Sequence, residues 1–177
     1  YISHQAPALA VYLDAESSNT TIDNNEFHFS GTTDREMFAI DGSDLNQITR
    51  NWFSGLSKGG IYLYRNCGER GDIRYTTPSY NLISENIFYY NKYNGSNPGI
   101  FLGSRNGNRS YCDDDEGWSW GSSSDDRDFA RYNNVSNNRV CNRDPSDIIE
   151  IKYSVNTPNT ITSNQEINCP SSTPLPR

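Results

Sequence analysis

The sequence predicts an all-β solenoid of parallel coils, and three observations support this. One eight-residue pattern occurs five times, with a β-branched residue followed by Asn three residues later. The copies start at Thr20, Asn46, Asn81, Asn133 and Asn159. Their spacing is regular, and helical periodicity is absent nearly everywhere. Because a fixed period of about 20–50 residues is typical of stacked repeats, we expect one coil per period.

The spacing of the β-branched residues indicates the length of one coil. From Ile22 to Ile48, and again from Val135 to Ile161, the separation is about 26 residues, within the range of repeat proteins. From Ile48 to Ile83 it is longer by roughly a third of this period, and from Ile83 to Val135 it is roughly two periods. The sequence therefore predicts about five coils, with added length in two places.

Each coil contains a second strand signal ahead of the Asn segment. These strands are Ala10–Leu13, Phe38–Ile40, Gly60–Leu63, Gly99–Leu102 and Ile149–Ile151. Most alternate apolar residues with others, which favours strands with one buried face. The first of these strands begins almost at once, near Ala8, without a capping helix. The first coil is therefore expected either to stack on another chain or to follow N-terminal coils that are missing here.

The five Asn residues of the pattern predict an internal amide ladder at one bend of the solenoid. They are Asn25, Asn51, Asn86, Asn138 and Asn164. Asn tolerates a left-handed backbone conformation, and its side chain bonds to nearby backbone groups. Stacked at one height, the amides would satisfy each other between neighbouring coils. We therefore interpret these residues as structural.

The composition excludes two classes of protein. The chain has 177 residues and a formal net charge of −7, which disfavours general nucleic-acid binding. It has no apolar run of about 18 residues, so a membrane span is not expected. The pattern predicts one solenoid domain over residues 1–167 and a Pro/Ser-rich tail over 168–177.

The Asn-x-Ile-x-x-Asn-x-Phe copies and the Gly-Ile-x-Leu strands resemble the right-handed parallel β-helix, or pectin-lyase-like, superfamily. Residues 60–69 and 103–115 are similar to parts of secreted bacterial β-helix proteins of unassigned activity. The resemblance implies a right-handed β-helix over nearly the whole chain. Uronate lyases of the superfamily use Arg or Lys as the base, often with calcium. No motif here matches one of those enzymes residue by residue.

The four cysteines fit two disulfides in this repeat. Cys141 and Cys169 are separated by about one coil, while Cys67 and Cys112 each follow the same strand of neighbouring coils. We predict the pairs Cys67–Cys112 and Cys141–Cys169. Disulfides persist in oxidising compartments, so we expect the protein to be secreted or at the cell surface.

Two insertions are expected to contain the functional site, because loops on a rigid scaffold usually do. The connection after the first strand is short in the tight coils, but it is roughly twice as long from Leu63 to Ile83 and more than three times as long from Leu102 to Val135. Both insertions follow the same strand in successive coils and should lie side by side. The predicted cleft lies between residues 64–80 and 105–131.

The residue types of the insertions predict a site for an acidic polysaccharide. Arg binds carboxylates and sulfates with two hydrogen bonds, and aromatic faces stack on sugar rings. The candidate catalytic residues are Arg65, Arg74, Arg105 and Arg109, and the candidate binding residues are Tyr64, Tyr75, Tyr111, Trp118 and Trp120. Asp113, Asp114, Asp115 and Glu116 form a candidate Ca²⁺ site. Alternatively, the acidic run is a solvated loop, and Arg–Asp pairs only order the insertions.

The sequence thus favours an extracellular β-helix that binds an acidic polysaccharide, with lyase or epimerase activity as a further expectation. In a β-elimination at C5 of a uronate, an Arg held near acidic groups would act as base or charge neutraliser, with a Tyr as the acid. The alternative is a non-enzymatic adhesin, fibre or surface-assembly module that stacks through its open end. Open sheet edges favour such pairing unless they are covered or blunted.

Overall fold

The structure, a computed structural model, describes residues 2–4, 9–14, 17–29, 36–55, 59–65, 76–89, 98–103, 130–141, 143–151 and 158–168. The described residues form sixteen β-strands and one short 3₁₀ helix, Pro145–Asp147. The strands are β1 (Ile2–His4), β2 (Val11–Leu13), β3 (Thr21–Asp23), β4 (Glu26–Phe29), β5 (Phe38–Asp41), β6 (Gln47–Thr49), β7 (Trp52–Ser54), β8 (Ile61–Tyr64), β9 (Leu82–Ser84), β10 (Ile87–Tyr89), β11 (Ile100–Leu102), β12 (Asn134–Ser136), β13 (Arg139–Cys141), β14 (Ile149–Ile151), β15 (Thr160–Thr162) and β16 (Gln165–Ile167).

The strands form three parallel sheets. Sheet 1 contains β2, β5, β8, β11 and β14; sheet 2 contains β3, β6, β9, β12 and β15; sheet 3 contains β1, β4, β7, β10, β13 and β16. Each sheet takes every third strand, so the chain passes through the sheets in rotation. We call one such passage a circuit. The predicted all-β fold with parallel strands is confirmed, and the topology is consistent with a β-helix.

The core is made of apolar residues in register from circuit to circuit. In sheet 3, Phe27 aligns with Phe53, Phe53 with Phe88, and Phe88 with Val140. The three rings stack with centroids 5.2 and 5.1 Å apart. The β-branched residues of the repeat align in the same way in sheet 2; they are Ile22, Ile48, Ile83, Val135 and Ile161. The repeat in the sequence is therefore the core of the fold.

The first circuit differs from the expectation. A strand that was not predicted, Ile2–His4, precedes it and pairs in parallel with β4. Three residues are too few for an alternation of apolar and polar side chains to be recognised in the sequence. Sheet 3 thus extends one strand beyond the first circuit, whereas β2 and β3 are the edge strands of their own sheets.

Only one of the four cysteines lies in the described part of the chain. Cys141 is buried at the end of β13 and is disulfide-bonded, and its partner lies outside the described residues. Its register neighbour is Ile167, two residues before Cys169. The pairing of Cys141 with Cys169 stays a prediction. Cys67 and Cys112 lie outside the described residues.

Candidate functional site

Two corners of the solenoid are held by columns of buried Asn side chains. At the corner between sheets 2 and 3, which we call corner 2–3, the predicted ladder is present. The backbone N–H of Asn51 donates to Oδ1 of Asn86 at 3.0 Å, and that of Asn86 donates to Oδ1 of Asn138 at 3.1 Å. From Asn51 onward, the amide Nδ2 also donates back one circuit, as from Asn86 to the carbonyl of Ile48 at 2.8 Å. Neighbouring circuits are therefore joined through side chains as well as strands.

A second ladder, which was not predicted, holds the corner between sheets 1 and 2, called corner 1–2. It consists of Asn46, Asn81, Asn133 and Asn159, with Thr20 in the first circuit. The N–H of Asn46 donates to Oδ1 of Asn81 at 3.0 Å, and that of Asn81 donates to Oδ1 of Asn133 at 2.9 Å. The signal was available in the sequence, because four of the five repeat copies begin with Asn.

Because Asn tolerates a left-handed backbone, the ladder Asn is the residue expected to adopt it. In the structure, the residue before the ladder Asn adopts it instead. At corner 2–3 these bend residues are Asn24, Arg50, Glu85, Asn137 and Ser163, with φ between 53° and 60°. At corner 1–2 they are Asn19, Leu45, Tyr80 and Tyr132, with φ between 55° and 59°. The ladder position requires Asn because of its hydrogen bonds. The bend position before it requires only a residue that can adopt a positive φ.

The two corners share this backbone but differ in what they expose. Every bend residue of corner 2–3 is polar and exposed. At corner 1–2, three successive circuits instead expose Leu45 at 47%, Tyr80 at 58% and Tyr132 at 47%. We call these three residues the aromatic strip. A bulky side chain at positive φ costs roughly 1–2 kcal/mol, and an exposed one gains little from burial, so folding alone does not favour the strip.

The strip is an ordered surface. The rings of Tyr80 and Tyr132 stack with centroids 5.3 Å apart and planes 9° apart. The guanidinium carbon of Arg131 lies 5.9 Å from the centroid of the Tyr132 ring, within range of a cation–π contact. Since the two rings cover each other's inner faces, the strip presents ring edges, phenol hydroxyls and one cation to solvent.

Both insertions begin and end on neighbouring circuits, next to the strip. At their start, Leu63 aligns with Leu102, and the N–H of Gly103 donates to the carbonyl of Leu63 at 3.1 Å. At their end, Ser79 and Arg131 form a parallel bridge, and Tyr80 and Tyr132 follow directly. The predicted side-by-side placement therefore holds for the ends of the insertions. Most of their length lies outside the described residues.

Two of the predicted site residues, Tyr64 and Arg65, are buried at the end of β8 in sheet 1. Tyr64 and Arg65 are each 1% exposed. The hydroxyl of Tyr64 donates to Oε1 of Glu36 at 2.9 Å, and the hydroxyl of Tyr12 donates to Oδ2 of Asp41 in the same sheet. Both carboxylates are buried. Tyr64 and Arg65 are thus withdrawn from solvent, and their predicted roles stay predictions.

The other predicted site residues lie outside the described part of the chain. They are Arg74, Arg105, Arg109, Tyr75, Tyr111, Trp118, Trp120, Asp113, Asp114, Asp115 and Glu116. Within the described ranges, no three His, Cys, Asp or Glu side chains come together in a way that could hold a metal ion. The predicted Ca²⁺ site lies outside the described residues and stays a prediction.

Comparisons with protein-family models, with curated proteins and with solved structures found no match. In the ranges that the structure describes, no helix has the length and apolar character needed to cross a membrane. What the chain does must accordingly be inferred from its own surface.

Proposed function

We propose that this chain is a secreted or cell-surface β-helix, right-handed and of about five coils as in the pectin-lyase-like superfamily, that binds an acidic polysaccharide along the aromatic strip. One observation carries the proposal. Leu45, Tyr80 and Tyr132 are large exposed side chains at bend positions where Asn or Gly would cost less. Arg50 and Glu85 at corner 2–3 bear the same positive φ, so it is the exposed apolar and aromatic surface of the strip, and not the strain, that favours a binding role.

The chemistry of the strip suits a glycan. The edges of the stacked rings offer apolar surface to the C–H faces of sugars, and their hydroxyls donate to and accept from sugar hydroxyls. The guanidinium of Arg131 supplies a positive charge for a carboxylate or sulfate. The circuits are about 4.8 Å apart, so the strip runs along the solenoid as an elongated surface that fits a linear chain better than a compact ligand.

Processing of the bound polymer, by a lyase or epimerase reaction, is the further part of this proposal. The insertions end at Ser79 and Arg131, directly before two residues of the strip, and the proposal is that their Arg and acidic residues act on a polymer held there. In the lyase reaction, one Arg from this set would neutralise the uronate carboxylate and another would take the C5 proton as base, while the C4–O4 bond breaks and a Tyr hydroxyl protonates the departing oxygen. Ca²⁺ held by Asp113–Glu116 would help to neutralise the same carboxylate.

The test is the double substitution Tyr80→Asn with Tyr132→Asn, with Glu85→Asn as the matched control. All three positions have φ close to 60°, where Asn is well tolerated. We expect the double variant to bind pectate, alginate or chondroitin sulfate at least about tenfold more weakly, which corresponds to about 1.4 kcal/mol. Glu85→Asn should bind as the wild type does. Binding is measured by calorimetry on the panel of polymers.

Turnover is followed on the same panel through the ultraviolet absorbance of unsaturated uronates, with calcium and with chelator. Release of product from one polymer would identify a lyase, and loss of product with chelator would assign the role of calcium. If no acidic polymer binds the wild type, or if the double variant binds as well as the control, the strip is not a glycan site and the proposal is wrong.

A further inference from the structure

The last circuit departs from the repeat at the core position of sheet 3. Phe27, Phe53, Phe88 and Val140 occupy this row in the earlier circuits and are buried. The register continues the row from Val140 to Glu166, and Glu166 is exposed. A carboxylate therefore stands where the repeat otherwise places an aromatic or aliphatic side chain.

The last circuit also departs from the repeat at corner 1–2. Asn19, Leu45, Tyr80 and Tyr132 each precede a column position and adopt positive φ. The equivalent residue before Asn159 is Pro158, whose ring locks φ in the negative range and which has no N–H. In the inner circuits this N–H donates to the next circuit, as from Leu45 to the carbonyl of Ser79 at 3.2 Å. Pro158 offers no such bond to a strand placed beyond it.

The rest of the last circuit has the chemistry of an open end. Among the strands that the structure describes, β14, β15 and β16 are the outermost of their sheets on this side. An open cavity of about 400 Å³ lies beside Ile149, Ile161 and Asn164 and is bounded by the Asp144–Ser146 segment. Both Ile side chains are partly exposed. Unpaired edges next to apolar surface promote pairing with another chain.

We propose that Glu166 and Pro158 prevent another chain from pairing with this end. A strand added beyond β16 would enclose the Glu166 carboxylate in the core row, and removing an uncompensated carboxylate from water is strongly unfavourable. A strand added beyond β15 would meet Pro158 where the ladder requires a donor. These are the two devices, an inward charge and an edge proline, that blunt sheet edges in natural proteins. The inference does not depend on the glycan proposal.

The test is self-association of the full chain with Glu166→Phe and Pro158→Asn combined. Phe restores the row of the repeat, and Asn restores a donor with a tolerable positive φ. Sedimentation velocity over a concentration series should show an association constant at least about tenfold higher than that of the wild type. The matched control is Gln165→Phe, because Gln165 precedes Glu166 on the same strand and alternation places it on the opposite face.

Two results would overturn the inference. One is a wild type that associates as strongly as the double variant. The other is a double variant that stays monomeric while circular dichroism shows it folded. If Gln165→Phe associates as strongly as the double variant, the effect is general hydrophobicity and the specific role of Glu166 is lost. Glu166→Gln provides a second measure, since removal of the charge alone should give an intermediate association constant.

Discussion

The two ladder corners of this protein have the same backbone and different surfaces. At both, a residue with φ near 57° precedes a buried Asn column, and each column is bonded from circuit to circuit. At corner 2–3 the bend residues are polar, whereas at corner 1–2 three successive bend residues are large and apolar or aromatic. The fold therefore fixes the identity of the column Asn, whereas the identity of the residue before it can vary with function.

The largest change in unfolding free energy is expected when one Asn is removed from the interior of each ladder. Asn86→Ala would deprive the N–H and Nδ2 of Asn51 of their acceptor, and Asn81→Ala would do the same to Asn46. Each buried unsatisfied group costs about 1–3 kcal/mol, so we expect each variant to lose roughly 3–5 kcal/mol of unfolding free energy. Urea unfolding followed by fluorescence measures this loss.

Asn25→Ala serves as the control for the ladder variants, because this Asn lies in the first circuit, is only partly buried, and donates to Asn51 without accepting from an earlier ladder Asn. It should cost no more than about 1–2 kcal/mol. If Asn86→Ala and Asn81→Ala differed by much more than their error, the two corners would not be energetically equivalent. The aromatic strip would then have to be explained by a weaker ladder beneath it.

A smaller effect is expected when the left-handed strain of a bend is relieved at each corner. Glu85→Asn at φ 60° on corner 2–3 and Tyr80→Asn at φ 58° on corner 1–2 should each raise the unfolding free energy by about 1 kcal/mol, because Asn tolerates this conformation better than Glu or Tyr does. Thermal unfolding of both variants tests the pair. A destabilised Tyr80→Asn would mean that the strip supports the fold and would weaken its assignment to binding.

The smallest effect concerns the cation beside the strip. Arg131→Gln removes the charge that lies over the Tyr132 ring, and a cation–π contact at an exposed site contributes about 0.5–1 kcal/mol. We expect a two- to fivefold loss of affinity for an acidic polymer, about 0.5–1 kcal/mol, and a weaker dependence of binding on salt. An unchanged salt dependence would place the charge recognition elsewhere in the chain.

The fold could be predicted from the sequence because a β-branched residue recurs at the same position of every circuit. The β-branched residues such as Ile22, Ile48 and Ile83 are separated by one period, or by one period and an insertion, and the structure aligns them in a single sheet. The amide ladder at Asn51 and Asn86 followed from the same spacing. The second ladder was equally visible, at Asn46 and Asn81, but was overlooked because one structural role had already been assigned to each copy.

The candidate site could not be predicted in the same way. Sequence reasoning favoured the charged and aromatic insertions, where composition is distinctive, and so chose Tyr64 and Arg65. Burial of these two side chains depends on how the outer face of sheet 1 is covered, which periodicity does not report. Tyr precedes the first Asn of the repeat copy at both Tyr80 and Tyr132, but this recurrence does not by itself report exposure, which depends on a positive φ at the bend, away from the core residues.

The direction of the Asn ladders has a consequence for how the protein is made. The backbone N–H of a ladder Asn and one of the two Nδ2 hydrogens donate toward the C-terminus, as from Asn51 to Asn86 and from Asn86 to Asn138. During translation, a newly formed circuit would therefore lack its amide acceptor until the next circuit leaves the ribosome. A chain that grows from its N-terminus would add circuits in order, each completing the one before it.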